Sequence, residues 1–170
     1  MADLDNSTIP FKHDVIAITF NDGTTPSANT LAVYLIQGTV TWSEPGRTKV
    51  EARDRNRHQA TPVVVETDDG NVTGSITLLC TSWKGSSNTH PYEFMTFTGT
   101  ASSFASTGAG GANLIEMVLT TNSTVDGGGS QTVTFAHCDF SDISVDTGGT
   151  DGLCTITANF TDYENRPTMA

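Results

Sequence analysis

Gln131–Val145 reads QTVTFAHCDFSDISV, and the path of this stretch decides what the rest of the chain can be. It contains no Pro or Gly, and Val133, Phe135, Ile143 and Val145 share one parity, the period-2 mark of a strand. It reads as one long strand, or as two strands joined by a bend. The turn segment Asp146–Gly152 (DTGGTDG) follows. Leu153–Phe160 then places Cys154, Ile156, Ala158 and Phe160 on a single face, so the chain is expected to end in a long hairpin.

Outward from this hairpin the same grammar repeats. Leu114–Thr121 (LIEMVLTT) alternates with Ile115, Met117 and Leu119 inward. Val72–Trp83 sets Gly74, Ile76, Leu78 and Cys80 on one face. With Pro62–Asp68 (PVVVETD) it is expected to form a hairpin around Asp69-Gly70-Asn71. Leu31–Trp42 (LAVYLIQGTVTW) is a long strand with Gly38 where a bulge would re-aim the chain, and Val15–Phe20 (VIAITF) is a short buried strand. The one helical signal is Tyr92–Met95, opened by Pro91. About eight strands and one short helix are expected: a mainly β chain, either a two-sheet β-sandwich or a rolled barrel. Residues 1–14 read as an N-terminal arm, 15–161 as a single β domain with an extended basic loop at 47–58, and 162–170 as a polar tail.

Composition agrees with this reading. Of the 170 residues, 29 are threonine and 16 glycine, while hydrophobic residues make up 36% and charged residues 16%. β-Branched side chains lose χ1 freedom on a helix and favour strands, which argues against a helical bundle. The core is expected to be thin, with stability drawn partly from association. No run of about 18 apolar residues occurs, so no membrane-spanning helix is expected. The first residues, MADLDNSTIPFKHD, lack the basic and apolar regions of a secretory signal, and Met1 reads as a native start.

Motifs for catalysis are missing. The four histidines, His13, His58, His90 and His137, fall in no H-E-x-x-H, and no G-x-S-x-G or G-K-[ST] occurs. Asp68-Asp69-Gly70-Asn71 and the 146–152 turn place carboxylates beside glycine, but neither follows the calcium-loop pattern, and turns select Asp, Asn and Gly for backbone reasons. Cys80, Cys138 and Cys154 show no C-x-x-C spacing. A turn at Thr147–Thr150 would leave Cys154 about 17 Å along the strand from the partner of Cys138, too far for a disulfide. The cysteines therefore read as small buried apolar residues in a reducing cell. Zinc at Cys138 and His137 is disfavoured because neighbours on a strand face opposite ways. Sequons at Asn6, Asn71, Asn122 and Asn159 are the number that a Thr-rich chain supplies by chance. No enzyme activity, cofactor or metal is expected.

Charge is divided unevenly. The net charge is −11, yet Arg47–His58 (RTKVEARDRNRH) carries +3, leaving −14 on the remainder. Extended, that stretch puts Arg47, Lys49, Arg53, Arg55 and Arg57 on one face as a basic stripe. Between Lys84 and Arg166 there is no Lys or Arg but nine carboxylates. Such a chain is poorly suited to gripping phosphate backbones or anionic membranes. Two uses fit: a solvated acidic surface, or head-to-tail self-association in which the stripe of one copy meets carboxylates of the next.

With these features in this order, the chain resembles the tail tube proteins of long-tailed phages. The resemblance rests on the polar arm, on Gly38-Thr39-Val40-Thr41-Trp42-Ser43-Glu44, and on the charged Arg47–His58 loop. It continues through the Pro-Val-Val-Val strand, the helical region near Tyr92–Thr98 and the terminal hairpin. It implies a two-sheet β fold flanked by a helix, forming hexameric rings whose inner sheets join around a lumen. Rings would stack through arm, loop and tail into a filament that conveys DNA during ejection without gripping it. The partners implied are further copies of the chain and other tail proteins (terminator, tip, tape measure), in a virion tail assembled in the host cytoplasm. On this resemblance Arg47, Lys49, Arg53, Arg55 and Arg57 are inter-ring contacts and Asp139 and Asp142 face the lumen. The loops Ser102–Asn113 and Asn122–Ser130 depart from the pattern and read as decorations. The alternative is a β-sandwich binding module, such as a phage decoration or carbohydrate-binding protein. In that case Trp42, Trp83, Tyr34 and Tyr92 are the stacking candidates, with Trp42 and Tyr34 read first as core residues.

Overall fold

The computed structural model describes residues 13–33, 35–46, 48–52, 63–67, 70–80, 89–109, 112–123, 130–147, 154–164 and 167–170. Its strands are β1 (His13–Asn21), β2 (Thr30–Val33), β3 (Leu35–Ser43), β4 (Thr48–Ala52), β5 (Val63–Thr67), β6 (Val72–Cys80), β7 (Ile115–Ser123), β8 (Ser130–Asp146), β9 (Cys154–Asp162) and β10 (Thr168–Met169). The helix α1 spans Pro91–Thr96, followed by a 3-10 turn at Gly99–Ala101. The chain is mainly β with one short helix, as the alternation and the Thr content require.

One antiparallel sheet runs β2-β1-β7-β8-β9-β6-β3, with β10 added on β8. Its two outer strands, β2 and β3, are separated in sequence only by Tyr34. Strands at opposite ends of a sheet can be joined by one residue only if the sheet curls back on itself. Ring contacts across the fold agree: Phe20 on β1 meets Phe140 on β8 edge-on at 5.7 Å, and Trp42 on β3 meets Phe135 on β8 at 5.8 Å.

The 17-residue β8 turns the corner. Its first half pairs with β7 and its second half with β9, and each ladder contains one irregularity. Ile115 faces Cys138 while Met117 faces Phe135, and Ser141 faces Asn159 while Ser144 faces Thr157. Both shifts insert one extra residue into β8, and each reverses which parity points inward. Phe135 is buried, then Cys138 and Phe140, while Val133, Ile143 and Val145 pack against the same core. The single parity expected from the sequence omitted Cys138 and Phe140, which only the bulges turn inward. At the second bulge Asp142 has φ 49, a left-handed conformation that Asp tolerates better than most residues.

The core follows the alternation elsewhere. Ile115, Met117 and Leu119 of β7, Val72, Ile76 and Leu78 of β6, and Ile156, Ala158 and Phe160 of β9 are all buried. Phe135–Phe160 at 5.2 Å, Phe160–Phe140 at 6.2 Å, Phe20–Phe94 at 6.0 Å and Phe94–Phe104 at 5.3 Å continue the two contacts above into one run of rings, from Trp42 to Phe104. Gly74 makes this possible. It lies opposite both Trp42 and Phe160, and a Cβ there would enter the Phe160 ring and the Thr41 carbonyl.

The helix α1 begins with Pro91, whose missing N–H would have had no partner in a first turn, and it buries Glu93, Phe94 and Met95. It ends at Phe97, left-handed at φ 52. The Thr100 hydroxyl donates to Glu93 Oε2 at 2.8 Å. The β1–β2 loop is organised by buried Asp22. Its Oδ1 accepts the amides of Thr24 and Asn29, and its Oδ2 accepts the Thr24 hydroxyl, the Asn29 amide group and the Ala105 N–H.

Two expectations are corrected. Val63–Thr67 does not pair with Val72–Cys80. It forms a separate two-stranded sheet with Thr48–Ala52, while β6 lies between β3 and β9. A segment read as wholly an extended loop thus contains the strand β4, and this local partner removes β5 from the main sheet. The expected long strand Leu31–Trp42 is split, its halves pairing with β1 and β6, and the register shift between Leu35 and Val40 includes Gly38.

Candidate functional site

The side of the sheet opposite the core, across β3, β6, β9 and the second half of β8, is built almost wholly from hydroxyls, amides and carboxylates. Alternation places them there, because every second residue of these strands is committed to the interior. Thr41, Ser75, Asn159 and Ser141 lie opposite one another in one row, and Ser43, Thr73, Thr161 and Asp139 in the next. Thr41 and Ser75 are hydrogen-bonded at 2.9 Å, Thr77 and Thr157 at 3.1 Å, and Asn159 Nδ2 donates to Asp142 Oδ2 at 3.1 Å. Between the two rows runs an open groove of about 530 Å³ bordered by Thr41, Ser43, Thr73, Ser75, Asn159 and Thr161, with Trp42, Gly74 and Phe160 between them also in its lining. Asp139, Asp142 and Asp146 are exposed along β8. None of these four strands contains Lys or Arg. The surface these strands present is neutral to negative, with no cation to pair with a phosphate.

Asp139 and Asp142 thus share a strand and a charge, although the bulge gives them different backbone conformations. Arg47, Arg53, Arg55 and Arg57 lie outside the described residues. Lys49 stands in β4, in register with Glu66 of β5. Tyr34 and Trp83 also lie outside the described residues, and Tyr92 packs against the core. Trp42 is corrected from core to rim, since it is 39% exposed. Its register with Gly74 and Phe160, and its contact with Phe135, put the indole on the interior side.

The sequence reading missed a polar cluster at the end of β9. Asp162 continues the inward parity of Ile156, Ala158 and Phe160, and it is completely buried rather than part of a solvated tail. That parity was visible in the sequence, masked by the carboxylate's usual preference for water. Asp162 Oδ1 accepts the His137 N–H at 2.9 Å and the Glu164 N–H at 3.3 Å, while Oδ2 has no partner among the described residues. Burial raises its pKa, opposed by these two amides, with the Glu164 charge raising it and His137 lowering it. Cys138 lies opposite Asp162, and its thiol is pushed well up by burial and then by the charges of Asp162 and Glu116. A thiol held in its protonated form is a poor nucleophile, and Cys138 serves as a core residue. His137 Nδ1 lies 3.1 Å from the Thr107 hydroxyl and Nε2 lies 3.5 Å from Glu164. Among the described residues no three His, Cys, Asp or Glu side chains are grouped to hold a metal ion.

Strand edges complete the surface. β7 pairs with β8 only as far as Cys138, and among the described residues no strand pairs with the β7-side edge of 139–146. The other exposed edge of β8 is covered where β10 pairs with Val133 and Thr134, and Thr132 and Ala170 exchange both backbone hydrogen bonds. An edge that no described strand covers along 139–145 is a template for another strand.

Comparison with known proteins places the fold. No protein family matches the chain, and no curated protein is similar to it in sequence. Among solved structures, the chain is similar to one from the cryo-EM structure of an extracellular contractile injection system, the PVC sheath/tube terminator in its extended state. The TM-score is 0.52 and the identity 8%, over 96% of this chain and 99% of that one. It is also similar to a chain of the six-fold symmetrised anti-feeding prophage (AFP) baseplate, with a TM-score of 0.49 and 15% identity, over 96% and 97% of the two chains. The likeness to the first spans nearly the whole of both chains and is one of fold.

Proposed function

We propose that this chain is a non-enzymatic structural protein of a phage-type tail, which associates with copies of itself and with other tail proteins. The observation that carries the reading is the shared fold, end to end, with a chain of a sheath/tube terminator structure. In its finer form, copies form hexameric rings that stack into a tube, and DNA passes through the lumen. The reading is supported by physics at two places. The edge of 139–145 that no described strand covers invites sheet continuation into a neighbour, which would satisfy its backbone groups. The hydroxyl and carboxylate face beside it, placed inward, would repel phosphate and let a duplex slide. Asp139 and Asp142 would then line the bore, and Arg47, Lys49, Arg53, Arg55 and Arg57 would dock on the adjacent ring. The particle would be assembled in the host cytoplasm and carried in the virion tail.

Negative-stain microscopy of the concentrated protein tests this. Rings or hollow filaments are expected. The triple change Arg53→Glu, Arg55→Glu and Arg57→Glu should abolish stacking while circular dichroism stays unchanged. A protein that remains monomeric at high concentration, with or without tail extract, overturns the reading. Filaments that survive the triple change remove the basic stripe from it.

A further inference from the structure

Cys80 and Cys154 are register partners at the last position of β6 and the first of β9. Residues directly opposite in an antiparallel pair have Cα atoms about 4.5–5.5 Å apart, inside the window of about 4.4–6.8 Å that a disulfide requires. The sequence hides this relation, because 73 residues separate the two cysteines. The Cys138–Cys154 pairing weighed from the sequence is excluded, since Cys138 faces Asp162 at the other end of β9. Cys138 is also buried and its thiol held protonated, whereas Cys154 is only half-buried at the strand's end. The three cysteines therefore divide into one inert core residue and one facing pair.

We propose that Cys80 and Cys154 form a cross-strand disulfide when the protein meets an oxidising medium. With a small-molecule disulfide such as oxidised glutathione as oxidant, one cysteine thiolate attacks it and releases a first glutathione thiolate, which takes up the proton lost by that cysteine. The second cysteine thiolate then attacks the mixed disulfide, and a second reduced glutathione leaves. Two protein thiols are oxidised and one glutathione disulfide is reduced. The bridge ties β6 to β9 and closes a loop of about 75 residues, a length at which a cross-link restricts the unfolded chain strongly. It staples two strands of the hydroxyl-bearing half of the sheet, and it does not depend on the chain being a tail protein.

The test is oxidation of the full chain with glutathione disulfide, alkylation of remaining thiols and peptide mapping without reductant. A linked Cys80–Cys154 peptide, with Cys138 alkylated only after denaturation, is expected. The melting temperature should rise by roughly 5–10 °C and return on reduction. Cys138→Ala should keep the bridge, and Cys80→Ser and Cys154→Ser should each abolish the rise. Because poor folding of a serine variant would also remove the rise, the mapping of the unaltered protein is the deciding measurement. Stable glutathione adducts on either cysteine, a disulfide-linked dimer, a bridge to Cys138, or two thiols that stay alkylatable after oxidation would each overturn the proposal.

Discussion

Replacing aspartate by asparagine removes one charge and exchanges an acceptor oxygen for a donor. At two buried positions of this protein the same change should act in opposite directions. Asp22 accepts two donors on Oδ1 and three on Oδ2. Whichever way an asparagine is turned, its NH2 group meets at least two donors. Hydrogen bonds to a charged group are worth about 1.5–3 kcal/mol each, and the Thr24 hydroxyl can rotate away, so Asp22→Asn should cost about 2–4 kcal/mol at pH 7. At Asp162, among the described residues, only Oδ1 has partners, and an asparagine oxygen can keep both while its NH2 group takes the place of Oδ2. Relief of a buried, half-satisfied charge should make Asp162→Asn neutral to stabilising, by up to about 2 kcal/mol. The pH dependence separates the two. Burial acts to raise the Asp22 pKa, but its hydrogen bonds from Thr24 and Asn29 outweigh this and lower it. The Asp22 contribution is thus complete above the unfolded carboxylate pKa and is lost as pH falls through the lower folded value. Asp162 is raised, so its penalty is absent below the unfolded value and complete once pH has risen through the folded one. Urea unfolding of both variants at pH 7 and near pH 3 measures each sign. An Asp162→Asn variant that loses more than about 1 kcal/mol at pH 7, or two variants with the same sign, would refute this assignment.

Gly74→Ala should destabilise by about 1–3 kcal/mol, because the added methyl meets the Thr41 carbonyl and the Phe160 ring; thermal melting with near-ultraviolet dichroism would register the disturbed aromatic run. Phe135→Ala empties the centre of that run and should cost about 3–5 kcal/mol, lowering the melting temperature by on the order of 10 °C. Asp142→Val places a β-branched residue at positive φ and should lose about 1–2 kcal/mol, whereas Asp142→Gly should fall within about 1 kcal/mol of the parent; urea unfolding distinguishes them.

Alternation alone determined the inward faces of β6, β7 and most of β9, because a strand half-buried on one side imposes period 2 on its sequence. Pro91 marked the start of the helix for an equally local reason, and the excess of carboxylates over cations from residue 85 onward is a property of composition. Other features lie beyond local grammar. The two bulges in β8 leave no sign in QTVTFAHCDFSDISV, since an extra residue is defined only against the partner strand. Cys138 and Phe140 turn inward, and Asp142 adopts its left-handed conformation, because β7 and β9 hold opposite halves of one strand in different registers. For the same reason β5 pairs with β4 rather than β6, Asp162 is buried although it is a carboxylate, and Cys80 faces Cys154 from far away in sequence. Periodicity is set by each residue's own surroundings; register is set by competition among strands for partners, and only the folded chain decides that.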